Sequence, residues 1–223
     1  MEEFARPEPP SQTAFPIARA GYPYIFALAF ATAIFALLEL EILALLGLAA
    51  TFCVCGFFRD PERVVPNLAA AVVSPADGRI IAIERLETSP FYSAECVKIS
   101  IFMTVFNVHV NRIPHEGQIR QVSYYPGKFY SANLDKASLS NEHNAVVIQT
   151  EQGSDLSVVQ VAGLIARRII CFLQPGDKVH RGQRFGLICF GSRLDVYVSK
   201  DFQADVRMGQ KVKAGMTVLG RLS

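Results

Sequence analysis

The sequence predicts an α+β protein of β-rich character. An N-terminal hydrophobic helical hairpin is followed by a β-sandwich or barrel-like domain with repeated glycine turns. Three observations carry that prediction. Two apolar runs, residues 24–38 and 42–58, stand side by side near the N-terminus, with Glu39 and Glu41 between them. From about residue 66, short β-branched and aromatic runs alternate with turn signals. A spaced motif, Gly176-x-x-Val179-x-x-Gly182-x-x-Phe185, returns 33 residues later as Gly209-x-x-Val212-x-x-Gly215-x-x-Val218.

Taken in order, residues 1–20 are polar and Pro-rich (Pro7, Pro9, Pro10, Pro16) and read as a loosely attached start. The chain is 51% apolar with a mean hydropathy of +0.26, and residues 21–58 hold the excess. Each run is slightly short of the roughly 20 residues that span a bilayer. With its flanks either could cross, or the pair could form a shallow hairpin. A single continuous helix would put Glu39 and Glu41 at mid-depth, at about 2.5–3.5 kcal/mol per carboxylate. A hairpin puts both at a water-facing turn. Arg6 and Arg19 precede the first run, and Arg59 and Arg63 follow the second. The positive-inside rule then sets both ends, and the domain that follows, on the cytoplasmic side of the cell membrane. A signal peptide fits poorly, because the chain opens with Glu2 and Glu3 and the apolar region is doubled. A hairpin buried in a soluble protein is the alternative.

Five cysteines at irregular spacing (Cys53, Cys55, Cys96, Cys171, Cys189) argue against a disulfide framework and for reduced thiols. A net charge of +2 without a Lys/Arg run gives no argument for a nucleic-acid partner.

Residues 59–223 form the β-rich domain. Val97, Ile99 and Ile101 alternate with Lys98 and Ser100, and Val146–Ile148, Val158–Val161, Ile169–Phe172 and Val196–Val198 are further strand candidates. Ala76-Asp77-Gly78, Pro126-Gly127, Gln152-Gly153 and Pro175-Gly176-Asp177 punctuate them. Residues 131–143 are expected to form a short helix. The glycine half-motifs look like those of biotinyl/lipoyl barrels. The absence of a Met-Lys-Met tripeptide argues against a swinging-arm carrier.

Four segments could carry chemistry: Ser74–Gly78, Phe102–Pro114, Asn141–Asn144 and Phe190–Val196. Singly, each has a plain structural explanation. Asp77-Gly78 is first a turn, His109 between two valines is first a packed core histidine, and Gly191-Ser192 is a common loop dipeptide. The four histidines (His109, His115, His143, His180) make no metal-binding spacing, and neither a phosphate loop nor a G-x-S-x-G elbow is present.

Together and in this order, the segments resemble the phosphatidylserine decarboxylases, in particular their short membrane-associated bacterial and archaeal form. The resemblance runs from about Gly21 to the C-terminus. It includes Phe57–Arg63, Ser74–Gly78, Val105–Pro114, Tyr125–Phe129, Asn141–Asn144, Gln160–Gly163, Ala166–Ile169 and Phe185–Arg193. It implies a proenzyme that cuts itself between Gly191 and Ser192, giving a β chain (1–191) and an α chain (192–223). The Ser192 hydroxyl would attack the Gly191 carbonyl. β-Elimination would leave dehydroalanine at residue 192, and its hydrolysis with loss of ammonia would give a pyruvoyl group there, the cofactor. That carbonyl would form a Schiff base with phosphatidylserine, release CO₂ and yield phosphatidylethanolamine.

Carried over residue by residue, Ser192, His109 and Asp77 are the catalytic set, with His109 as base or proton shuttle oriented by Asp77. Longer members have two histidines in the segment matching Val105–Pro114. Here Arg112 stands where the second is expected, and an arginine cannot act as a base near neutral pH. Arg167, Arg168 and Lys128 are candidates for the lipid phosphate. No metal is implied. The implied partners are phosphatidylserine, membrane lipid, and the β and α chains for each other. The other readings are a membrane-tethered barrel adaptor without activity, and a pyruvoyl enzyme for a soluble amino acid derivative.

Overall fold

The computed structural model describes residues 17–91, 94–130, 140–163, 168–189 and 192–222. Gly191, Phe190, Arg167, residues 1–16 and residues 131–139 of the expected short helix lie outside these. The remaining part of that expectation is corrected: His143 opens a strand, because its register is fixed by pairing on both sides. The chain divides into two compact units, one ending at Glu62 and the other beginning at Arg63.

The first unit is a helical hairpin. A 3-10 turn, Arg19–Gly21, leads into α1 (Tyr22–Leu37), with Pro23 in the first turn, where no N–H is needed. The chain reverses at Leu38–Leu40, with Glu39 at φ 57°, and returns as α2 (Glu41–Phe57). Glu39 therefore sits in the turn, and Glu41 in the first turn of α2, where a carboxylate favours the helix dipole. The helices approach closely at Gly47, where a Cβ would strike Thr32. Ala18 N–H donates to the Phe58 carbonyl at 2.8 Å, and Tyr24 stacks on Phe58, so the two ends of the hairpin are tied together. No residue of α1 is buried, and Phe26, Phe30, Leu37, Leu45 and Phe52 are exposed. Residues Arg19–Leu37 form a helix long and apolar enough to cross a membrane; Glu41–Phe57 is shorter.

The second unit is antiparallel β. Its strands are β1 (Ala71–Val73), β2 (Gly78–Leu86), β3 (Cys96–Met103), β4 (Val110–Arg112), β5 (Gly117–Tyr125), β6 (His143–Gln149) and β7 (Asp155–Ala162). They continue as β8 (Arg168–Cys171), β9 (Lys178–Val179), β10 (Arg184–Cys189), β11 (Ser192–Ser199), β12 (Gln203–Ala204), β13 (Lys211–Val212) and β14 (Val218–Arg221). Eight make one large sheet, in the order β13-β2-β3-β11-β7-β6-β5-β9. Two three-stranded sheets, β1-β14-β12 and β4-β10-β8, complete the unit.

These orders map onto each other. Exchanging β1–β3 with β4–β6, and β7–β10 with β11–β14, turns each sheet order into its own reverse or into the other sheet. Details follow the exchange. β2 carries a bulge between Ile80 and Ala82, and β5 one between Ile119 and Gln121. Gly176 and Gly209 (φ 94° and 83°), with Gly182 and Gly215 (φ 78° and 71°), hold equivalent left-handed turns. Val179 and Val212 between them are buried at opposite ends of the large sheet. The glycine motif seen in the sequence is thus one part of a duplicated fold. Alternate residues of the large sheet, among them Ile99, Ile101, Val146, Val158, Leu194 and Val196, fill the main core.

Candidate active site

Ser192 opens β11, one of the two central strands. It pairs with Met103 of β3 on one side and Ala162 of β7 on the other. One residue further in, the row Phe102–Arg193–Val161–His143–Tyr125 crosses five strands. Arg79, near the start of β2, pairs with Phe102 and extends it. This register brings the starts of β2, β6 and β11 to one end of the sheet, together with the ends of β3, β5 and β7. Asp77, Met103, Ser192, Ala162 and Asn141 gather there.

Strand alternation decides what each side chain meets. Ser192 and Leu194 face the main core with Met103 and Ala162; Arg193, Asp195 and Tyr197 face the other way. Ser192 is fully buried, and its Oγ donates to Met103 Sδ at 3.4 Å. Asn111 Nδ2 reaches the same sulfur at 4.0 Å. Gln160 Nε2 donates to Asn111 Oδ1 at 2.9 Å, and Asn144 Nδ2 to Gln160 Oε1 at 3.1 Å. A chain of buried amides thus runs from β6 through β7 to β4 and ends on the sulfur that Ser192 touches. Buried amides hold one orientation only while their partners are present, so this chain fixes the surroundings of Ser192. On the opposite face, Arg193 and Asp195 form a buried ion pair at 2.9 Å. Burial and the neighbouring Asp195 carboxylate push the Tyr197 phenol far above its usual range. Burial also raises the Cys189 thiol, near the end of β10.

Asp77 lies in the turn between β1 and β2. Gly215 N–H donates to the Ser74 carbonyl and Ser74 N–H to the Thr217 carbonyl, each at 2.8 Å, which clamps this turn against residues 214–217. The Asp77 carboxylate accepts from Ala214 N–H at 2.8 Å through Oδ1, and from Arg63 Nη2 at 3.0 Å through Oδ2. Both side chains of this ion pair are nearly buried, at 12% and 10% exposed. The partners of the Asp77 carboxylate are thus Arg63 and the Ala214 amide rather than His109, which the sequence reading has Asp77 orient.

His109 is buried at the foot of β4, and its Nδ1 lies 2.9 Å from the Asn107 carbonyl. A carbonyl accepts only, so Nδ1 carries a proton and donates it. β4 pairs with β10 up to Val110 and Leu187. His109 thus stands beside the strand that leads into residue 192. Arg112 is buried and donates to the Gly182 carbonyl at 2.9 Å. Lys128 and Arg168 are exposed at the same end of the sheet. Among the described residues no three His, Cys, Asp or Glu side chains converge as a metal site would require.

Sequence reading missed Met103, Asn111, Gln160 and Arg63. One signal was available: Gln160 interrupts a fully apolar strand, Val158-Val159-Gln160-Val161, where a buried amide demands partners.

The phosphatidylserine decarboxylase family model matches residues 50–220. The phosphatidylserine decarboxylase proenzyme of Desulfotalea psychrophila is 49% identical over 211 residues, covering 95% of this chain and 99% of that protein. The proenzyme of Nitrosomonas europaea is 52% identical over 205 residues, covering 91% and 94%. That of Syntrophus aciditrophicus is 50% identical over 206 residues, covering 92% and 96%. With most of its length matched at this identity, the chain belongs to the phosphatidylserine decarboxylase family.

Proposed function

We propose that this chain is the proenzyme of a pyruvoyl-dependent phosphatidylserine decarboxylase that cuts itself at Gly191–Ser192. Residues 21–58 attach it to the cell membrane, and residues 59–223, on the cytoplasmic side, carry the chemistry. The observation that supports this is the placement of Ser192. It is buried at the first position of a strand held by eight registered pairs to β3 and six to β7. A cut just before it removes none of those pairs. The α chain, 192–223, also stays tied through β13 to β2 and β14 to β1.

In the cleavage step, the Ser192 oxygen bonds to the Gly191 carbonyl carbon and the amide C–N bond breaks, giving an ester. A serine hydroxyl is a weak nucleophile and needs a base. His109, held by Asn107 through Nδ1 beside the strand that leads into residue 192, supplies it. Asp77 and Arg63 act together as a charge pair that holds the turn before β2. Asp77 thus serves His109 by position, not by a direct bond. Because the hydroxyl attacks the carbonyl of the residue just before it, the step is intramolecular, and such a geometry contributes about 7–11 kcal/mol when well aligned.

Residue 192 suits a carbonyl cofactor: its site is closed to water, flanked by Met103 and Ala162, with the amides of Asn111 and Gln160 on the same face. When present, the pyruvoyl carbonyl supplies a sink for the electron pair released with CO₂. His109, having taken up at Nε2 the proton that the substrate ammonium gives up on binding, then delivers it to the substrate carbon, and the buried walls keep water out. Release of labelled CO₂ from carboxyl-labelled phosphatidylserine by the wild-type chain, and none by Ser192→Ala, is the expected result. Equal release by both would sink the proposal.

A further inference from the structure

Two exposed apolar clusters flank Ser192 at its end of the large sheet. The first is the turn after β3, where Val105 is 43% and Phe106 83% exposed. The second spans the end of β5 and the residues after it: Tyr124 is 57%, Tyr125 40%, Phe129 37% and Tyr130 43% exposed. β3 is the immediate neighbour of β11, and β5 is three strands away on its other side. The clusters therefore stand about 5 Å and about 14 Å from the Ser192 strand, measured across the sheet. Large apolar side chains exposed in clusters at one end of a sheet mark an interaction surface.

Both clusters are held in fixed backbone. Thr104 N–H and Oγ1 donate to Asn107 Oδ1 at 2.8 and 2.9 Å, which shapes the Val105–Phe106 turn. The buried Asn141 side chain binds Tyr130 N–H and carbonyl at 2.9 and 2.8 Å, and also the Ala162 carbonyl at 2.7 Å. Ala162 is the β7 partner of Ser192, and Asn107 holds the His109 ring. One residue thus links each cluster to the reacting groups.

The chemistry of the rim selects its partner. Phenylalanine and tyrosine with nearby lysine is the composition of a water–lipid interface, where rings sit at head-group level and long cations reach outward. The Lys128 ammonium lies 6.0 Å from the Tyr130 ring centroid. Arg168 and Lys211 are exposed at the same end of the sheet, and the acid beside Tyr124, Glu142, is half-buried. This charge balance complements an anionic surface. We propose that the β-rich unit seats this rim on an anionic phospholipid bilayer, with the two aromatic clusters in the head-group layer on either side of residue 192. The inference rests on the substrate class proposed above and adds how a bilayer-resident head group reaches the buried site.

The chain has no tryptophan, so Phe106→Trp and Tyr130→Trp each install a single fluorophore. The full chain, hairpin included, is placed in phosphatidylcholine vesicles with and without phosphatidylserine. Expected are blue-shifted emission from both sites, quenching by lipids brominated near the top of their acyl chains, and a stronger effect with phosphatidylserine. Water-like, unquenched emission at both sites overturns the proposal. In a second arm, Val105→Ser with Phe106→Ser is expected to lower turnover of bilayer phosphatidylserine about ten-fold. The same variant should turn over a monomeric short-chain phosphatidylserine within about two-fold of wild type. Equal loss on both substrates overturns the docking role. Probes in lipid without any decarboxylation would reject the substrate reading and leave docking standing. Decarboxylation with both probes in water would do the reverse.

Discussion

The two halves of the β-rich unit share one scaffold, yet only one end of it carries the proposed chemistry. Ser74-Pro75-Ala76-Asp77-Gly78 leads into β2, and Ile113-Pro114-His115-Glu116-Gly117 leads into β5 at the equivalent place. The halves even exchange bonds, Val73 N–H to the Pro114 carbonyl and Arg112 N–H to the Pro75 carbonyl, both at 2.9 Å. The contents then diverge. Asp77 is nearly buried with Arg63, whereas Glu116 pairs with Arg181 at 3.2 Å and is 35% exposed. β3 runs into the turn that holds His109, whereas β6 closes through a tight turn at Thr150–Ser154. β11 opens with buried Ser192; its counterpart β7 opens with Asp155, which pairs with the exposed Arg120. The scaffold needs its repeated glycines, strands and bulges. The chemistry needs a few substitutions at one end.

Matched substitutions in the two halves test that contrast, and the largest effect is expected at the central strands. Ser192→Ala should give an uncut chain with no activity, while Asp155→Ala should be processed at the wild-type rate. A surface pair such as Arg120–Asp155 contributes only about 0–1 kcal/mol. Denaturing gels over a time course separate the two outcomes, and slow processing of Asp155→Ala would break the comparison. Next comes His109→Ala, which has no counterpart in the tight turn. Loss of a general base slows its step by about 10²–10⁴-fold. Normal cleavage in that variant would remove His109 from the mechanism.

Asp77→Asn and Glu116→Gln form the third pair. The first leaves the Arg63 guanidinium nearly buried without its counter-charge, at a cost of about 3 kcal/mol, and should slow cleavage strongly. The second should cost about 0–1 kcal/mol and leave cleavage unchanged. Urea midpoints and cleavage rates of both variants, measured side by side, check this. The smallest effect belongs to the shared scaffold. Gly176→Ala and Gly209→Ala both force a Cβ onto a left-handed backbone in open space, so each should lose about 1–2 kcal/mol, equally. Unequal losses would show that the two turns are not mechanical equivalents.

Local features of the fold were legible in the sequence. β-Branched runs gave β3, β6, β7 and β11, glycine spacing gave the repeated turns, and paired glutamates marked the hairpin turn. The strand order was not legible, because β3 and β11 meet across nearly half the chain and no local pattern encodes that pairing. The site shows the same divide. Ser192, His109 and Asp77 came from motifs in matching order. Arg63 could not be read as the partner of Asp77, because the ion pair depends on how the turn before β2 is clamped to residues 214–217. Met103 read as one more apolar strand residue, and only its register opposite Ser192 reveals its contact.

The proposed activity depends on conversion of Ser192 after a cut at Gly191. Intact-mass analysis of the full chain, denatured after incubation under native conditions, tests it most directly. Two polypeptides are expected, 1–191 and 192–223, the shorter carrying a ketone at its first residue that reacts with hydrazide. A single polypeptide with Ser192 unmodified, or a 192–223 fragment beginning with an ordinary serine amine, would contradict it.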